Sequence, residues 1–203
     1  TVYRDNPTHK TPRIRRGLIP ALALSFCAFV GVGSPSVARA DTQVGDSLDN
    51  AEVRDARDLP AQIPGFGEKV LLILYTDPDV ADQNDPFADL VKASDLDKAY
   101  YQSIGIANME DASAKPNWII RAIVRSKIKK YNVTILTDPK RLLPKAWDLG
   151  ECNDKSVVLV IGKDKKLKYF KKGHISTEKG ASGASEADQV LELLKKTIAE
   201  AHG

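Results

Sequence analysis

The apolar positions of this chain fall into two rhythms. Lys69-Val-Leu-Leu-Ile-Leu-Tyr75 is a continuous apolar run of strand length, which predicts a strand buried on both faces in the middle of a sheet. Ser103–Asn108, Val133–Thr137, Ser156–Ile161 and Leu167–Lys171 are the other strand candidates. The last two flank Gly162-Lys-Asp-Lys-Lys and read as a β-hairpin. Helical spacing occupies the intervals. Pro86 suits a first turn and is followed by the apolar stripe Phe87, Leu90, Val91 and Leu96. Lys115–Lys130 predicts a second helix with Trp118, Ile119, Ala122, Ile123 and Ile128 on its apolar side. Its late Lys/Arg residues suit the negative end of the helix dipole. Leu142–Leu149 predicts a short helix stopped by Gly150, and Glu186–Ala201 a closing helix on Val190, Leu191, Leu194 and Ile198. The order β-α-β-α-β-α-β-β-α implies an α/β fold, a three-layer domain over residues 69–201 with a mixed central sheet and a C-terminal β-hairpin plus helix.

Two segments precede this pattern. Residues 41–68 are polar and acidic, interrupted by Pro60, Pro64, Gly65 and Gly67, and read as an acidic lead-in or arm in which Val44-Gly45-Asp46 starts at most a short edge strand. Residues 1–40 look like a secretory signal peptide. Arg13, Arg15 and Arg16 precede an apolar run, and Ala38-Arg39-Ala40 offers the small residues of a cleavage site before Asp41. The bulky Phe26 before Cys27 argues against lipidation there. The expected location is the periplasm of a bacterium, or the extracellular space, with no transmembrane segment after cleavage.

Charge sharpens the picture. The whole chain is formally +3, but the first 40 residues hold six Lys/Arg against one acidic residue, leaving 24 basic and 26 acidic residues, a net of −2, in the remainder. A balanced domain of this kind does not fit a nucleic-acid binder. Within the remainder, residues 41–111 carry 16 acidic and 5 basic residues (−11), and residues 112–203 carry 10 acidic and 19 basic (+9). Such a division predicts either strong attraction between the halves or a dipolar surface.

Several stretches taken together carry a family likeness: Ile104-Gly-Ile-Ala-Asn-Met-Glu-Asp-Ala-Ser, Pro116-Asn-Trp, Thr137-Asp-Pro-Lys-Arg-Leu-Leu-Pro-Lys-Ala-Trp-Asp-Leu149 and Ser156-Val-Val-Leu-Val-Ile-Gly-Lys-Asp-Lys-Lys-Leu-Lys-Tyr-Phe-Lys-Lys-Gly173. They resemble the YtfJ family of exported bacterial proteins, and the resemblance implies a thioredoxin-like fold. A dithiol oxidoreductase on that fold needs a nucleophilic cysteine after the first core strand, usually with a second cysteine close behind. Here Thr76-Asp-Pro-Asp-Val-Ala-Asp82 occupies that stretch, and Asn153-Asp-Lys-Ser156 stands where the fold usually places a cis-proline. Dithiol chemistry therefore lacks its residues.

The remaining candidates are few. Cys152 is the one cysteine after the leader and the only residue able to support a thiol-redox alternative. Asp77, Asp79, Asp82, Asn84 and Asp85 crowd one loop with hard oxygen donors suited to Ca2+, the one cofactor the sequence suggests, although Asp and Asn also cap helices. Glu110, Asp111 and Asp138 follow strands and suit turn or capping roles. His174 and His202 are too far apart to argue for zinc. Lys163, Lys165, Lys166, Lys168, Lys171 and Lys172 make a basic hairpin that, with Lys127, Lys129 and Lys130, suits contact with an acidic protein partner in the cell envelope or with anionic lipid. Lysines also protect sheet edges from pairing. The sequence thus favours an accessory binding or assembly protein without catalysis over a Cys152 redox protein or a calcium-binding structural protein.

Overall fold

The fold was analysed in a computed structural model, which describes residues 41–202 apart from 56, 113–115 and 182. The expected signal peptide and its cleavage site lie outside the described residues.

The apolar run Val70–Thr76 forms the central strand, β3, of a seven-stranded sheet. With β1 (Glu52–Arg54), β2 (Pro60–Gln62), β4 (Tyr101–Asn108), β5 (Thr134–Asp138), β6 (Ser156–Ile161) and β7 (Leu167–Lys172), the spatial order is β2-β1-β5-β4-β3-β6-β7. β3, β4 and β5 run parallel, and β6 and β7 add antiparallel to the other side of β3. Alternate residues of β3 serve two cores. Leu71, Ile73 and Tyr75 pack with α3 (Leu142–Trp147) and the lead-in, whereas Val70 and Leu72 pack with α1 (Asp85–Ala93) and α4 (Glu186–Ala201). That double burial is why the run is continuously apolar.

Five strands were expected, and the lead-in supplies two more. β1 pairs antiparallel with β2, and Arg54 is in register with Thr137 of β5. Asp55 ties their turn, accepting from the backbone N–H groups of Arg57 (2.8 Å) and Leu59 (2.9 Å). Asn50 makes two hydrogen bonds to the backbone of Ile63, and Trp147 Nε1 donates to the Asp49 carbonyl at 2.8 Å. Residues 41–63 are thus stitched to the sheet rather than being irregular throughout. Near Val44–Asp46 a single bridge joins Ser47 to Lys166.

The hairpin departs from simple alternation. Val160 faces Tyr169 but Ile161 faces Leu167, so Lys168 is an extra residue, a bulge. The bulge flips parity, which lets Leu167 and Phe170 join one core and Tyr169 the other. α4 begins at Ser185, whose hydroxyl accepts from the Asp188 N–H while the Asp188 carboxylate takes the Ser185 N–H, a complete capping box.

α2 (Asn117–Tyr131) lies on the α1 side of the sheet. Its buried side is Ile120 with the half-buried Ile123 and Val124, whereas Ala122 and Ile128, expected on that side, are exposed. The Trp118 side chain lies outside the described residues. The division of charge resolves at this seam: acidic α1 meets basic α2. Lys127 binds Asp82 at 2.6 Å and also pairs with Asp85, and Lys130 reaches Asp85 at 3.2 Å and Asp89 at 3.4 Å. Burial alone would raise the Asp85 pKa, but Lys127 and Lys130 overrule it and hold the carboxyl below 3.8.

Because the folded pKa of Asp85 lies below its unfolded one, its stabilisation is complete above the ordinary carboxylate value of about 4 and is lost as pH falls through the folded value. Asp85→Asn is expected to cost about 1 kcal/mol at neutral pH and to flatten the acid side of the stability profile, as read by urea denaturation across pH.

Candidate functional site

The C-terminal ends of β3, β4 and β5 converge on one corner, and a short polar side chain follows or ends each strand. After β3, Asp77 is fully buried and starts a 3-10 turn, Pro78–Val80. One carboxylate oxygen accepts from the Asp79 N–H (2.8 Å) and the other from the Asp154 N–H (2.9 Å), while the Asp77 N–H donates to the Lys155 carbonyl at 3.0 Å. The left-handed conformation of Asp154 (φ 53°) belongs to this turn toward the carboxylate. Burial raises the Asp77 pKa, opposed by the two N–H donors and reinforced by the Asp79 and Asp154 charges. Carboxylate oxygens of Asp77, Asp79 and Asp154 lie within 4.8 Å of one another, an arrangement able to coordinate a metal ion.

On the α3 side, Asp138 ends β5 fully buried. It accepts from the first backbone N–H groups of α3, Leu142 and Leu143, both at 2.9 Å, and from the Tyr75 hydroxyl at 3.3 Å. Desolvation, with the Asp138 charge beside it, pushes the Tyr75 phenol far above its usual range, so Tyr75 acts as a neutral donor. Asn108, fully buried at the end of β4, donates to Asp111 at 2.5 Å, and its own Oδ1 has no hydrogen-bond partner. Asp111 is clamped by Arg141 through Nε (2.9 Å) and Nη2, and Arg141 also reaches Glu151 at 3.3 Å. Carboxylates in this corner are therefore hydrogen-bonded to backbone, phenol, amide or guanidinium, which makes it a lock on three loops.

Cys152 sits in the α3-side core at 2% exposure, its Sγ 3.5 Å from the Gly150 carbonyl. Burial lifts its pKa to about 11, with the Lys172 charge opposing and Glu151 and Asp111 adding. A buried, protonated thiol beside acidic groups is a poor nucleophile.

The five-residue loop proposed from sequence as an ion site does not converge. Asp77 and Asp79 stay together, with Asp154 as a third neighbour from the loop that enters β6. Asp82 and Asp85 are drawn to Lys127. Asn84 does not cap α1 with its side chain; it clamps the segment after the hairpin, donating to the Gly173 carbonyl (3.0 Å) and accepting from Ile175 N–H (2.8 Å). The 3-10 turn and the start of α1 fan these side chains in different directions. The lysine hairpin divides as well. Lys168, Lys171 and Lys172 pair with Asp164, Glu186 and Asp41, leaving Lys163, Lys165 and Lys166 exposed at the tip. Glu110 is exposed, His174 Nδ1 lies 2.9 Å from the Gln83 carbonyl, and His202 packs on Tyr100. Sequence reasoning did not single out Tyr75, Asn108, Arg141 or Asp154. A buried polar residue at a strand end, as in Asn108 and Tyr75, was the available signal for two of them.

A parallel β3-α1-β4 unit followed by an antiparallel β6-β7 hairpin and a packed α4, without a cysteine pair at the end of β3, defines a thioredoxin-like protein lacking the dithiol motif. The fold likeness extends to solved structures. A peroxiredoxin-like protein from Aquifex aeolicus superposes with a TM-score of 0.53 at 16% identity, over 78% of this chain and 90% of that one. A Chlorobium tepidum protein, proposed to be a thiol:disulfide interchange protein DsbE, gives 0.51 at 14% identity, over 80% and 100%. The chain belongs to the family described as "Bacterial protein of unknown function (YtfJ_HI0045)", whose profile matches residues 66–197. It is 27% identical over 118 residues to "Uncharacterized protein YtfJ" of Escherichia coli (strain K12), covering 58% of this chain and 59% of that protein. The chain thus spans about three fifths of that relative's length.

With a thiol pKa of about 11, about one Cys152 in ten thousand is ionised at neutral pH. Iodoacetamide should therefore label the native protein at least about a hundred times more slowly than the urea-unfolded chain, read by intact-mass spectrometry.

Proposed function

We propose that this protein is an exported accessory or assembly factor of the bacterial cell envelope that works by binding a protein partner rather than by catalysis. The observation that carries the reading is the occupation of the β3 corner by Asp77, whose carboxylate is spent on two backbone N–H groups while the nearest structural thiol, Cys152, is buried and protonated. Export is supported by the arginine-then-apolar order of the first 40 residues and the Ala38-Arg39-Ala40 site. The periplasm is the location this reading adopts, with the extracellular space as the alternative. The contact surface is the hairpin tip, where Lys163, Lys165 and Lys166 are exposed. Their chemistry suits an acidic protein surface.

A second reading has its own observation. Burial and two neighbouring aspartates raise the Asp77 pKa, a repulsion that a bound Ca2+ ion would relieve, with Asp79 and Asp154 as co-ligands. In that case the ion fixes the corner and the protein is a calcium-binding structural protein.

A photo-crosslinking amino acid placed at Lys166 in living cells separates these readings from a Cys152 redox role. The expected result is one envelope protein crosslinked reproducibly, reduced about tenfold by joint Lys163→Glu and Lys165→Glu changes and untouched by Cys152→Ser. Loss of the crosslink in Cys152→Ser supports thiol chemistry instead. A rise in melting temperature with millimolar CaCl2, abolished by Asp79→Asn, supports the ion reading.

A further inference from the structure

Among the described residues, the face of the sheet under α1 and α2 is left unfilled. Positions 101, 103, 105 and 107 of β4 share that face, and after Tyr101 they carry only Ser103, Gly105 and Ala107. Between this stripe of small residues, Leu72 and Leu74 of β3, and Ile120, Ile123 and Val124 of α2 lies a cavity of about 720 Å³. Sites for small molecules fall at roughly 300–1,000 Å³ and have mainly apolar walls with a few placed polar groups.

The polar groups gather at one end, where β3 and β4 begin and α1 and α2 finish. Tyr101 is 7% exposed, and its hydroxyl is buried without a hydrogen-bond partner. Ser103, its polar neighbour on the same strand face, is near enough to act on the phenol but is not aligned for a hydrogen bond with it. The Tyr131 hydroxyl, also in the cavity wall, is buried without an aligned hydrogen bond, but the Lys130 ammonium stands beside it, 4.6 Å from the ring centre. Unpaired buried hydroxyls are uncommon and costly, and they call for a partner. Burial pushes the Tyr101 phenol up to about 12, so it remains a donor at physiological pH. Lys69, Lys92 and Lys98 line the same end, against one acidic residue, Asp95. Lys69 and Lys92 donate to backbone carbonyls, those of Lys98 and Lys130, each at 2.6 Å, so these bonds leave their charges unneutralised by a carboxylate. At the opposite end the wall is Thr76, Pro78 and Ala81 with the already paired Lys127 and Asp85.

We propose that this cavity binds a linear anionic amphiphile of the fatty-acid class. Its tail lies along Gly105 and Ala107, and its carboxylate is held by the Tyr101 hydroxyl within the field of Lys69 and Lys98. Neither the partner surface at the hairpin tip nor the corner at the other end of the strands is needed for it.

Laurate is the probe. Calorimetric titration of the purified protein is expected to show saturable binding of one molecule per chain, with dodecanol, which keeps the tail and loses the charge, binding at least about tenfold more weakly. Tyr101→Phe should weaken laurate by about tenfold without lowering the melting temperature of the unliganded protein. Ala107→Leu, which fills the cavity, should abolish binding; Ile123→Trp on the facing helix gives the same test if that variant fails to fold. Absence of saturable binding, equal affinity for dodecanol, or full affinity in both Tyr101→Phe and the cavity-filling variant would overturn the assignment. So would a dimer in sedimentation analysis that excludes laurate, since a second copy would then be what covers this face.

Discussion

Three short polar side chains hold the working edge of this sheet. Asp77, Asn108 and Asp138 stand where β3, β4 and β5 end, all fully buried, and each must find partners that water would otherwise provide. Asp77 takes the N–H groups of Asp79 and Asp154, Asp138 takes those of Leu142 and Leu143, and Asn108 donates to the Asp111–Arg141 pair. The loops after β3 and β5 and the approach to β6 are fixed by these bonds. An edge that a thioredoxin-type enzyme keeps open for an attacking sulfur is here closed by carboxylates already committed to backbone. Asp77 and Asp138 find backbone partners in this loop arrangement, and Asp77, which helps fix it, stands where a dithiol enzyme needs its cysteine.

Charge organises the rest at longer range. The acidic first half and basic second half do not form opposed patches; the fold interleaves them. Asp82, Asp85 and Asp89 meet Lys127 and Lys130, Asp111 meets Arg141, and Asp41 meets Lys172. These pairs join segments distant in sequence, with α2 held to α1 through its basic C-terminal half. Under α2 the sheet presents Ser103, Gly105 and Ala107, side chains too small to fill the space. The cavity is therefore a product of two sequence features acting together: a helix tethered by ions and a strand face without bulk.

The two-sided strands and the closing helix were legible because their patterns are dictated by burial. β3 and β6 read as continuous apolar runs, and α4 runs from Glu186 to Ala201 as its spacing requires. β1 and β2 were not legible. Each is three residues long; Val53 is fully buried, β2 starts on Pro60, and only pairing with distant segments makes them strands. The same limit applied to the site. Asp77 and Asp79 could be grouped from sequence, but Asp154 joins them only because β6 lies beside β3. Lys168 looked like a fault in an alternating strand, and the bulge explains it. Of the six hairpin lysines, sequence gave no means of telling the three with acidic partners from the three at the tip, since Asp41, Asp164 and Glu186 lie before, within and after the strand pair.

The central claim is that the closed corner performs no thiol–disulfide exchange. The most direct measurement is insulin reduction under dithiothreitol, followed as turbidity, with the purified protein and its Cys152→Ser variant side by side. The account predicts that both traces coincide with the protein-free blank. Catalytic turnover by the unmodified protein that disappears in Cys152→Ser would contradict it.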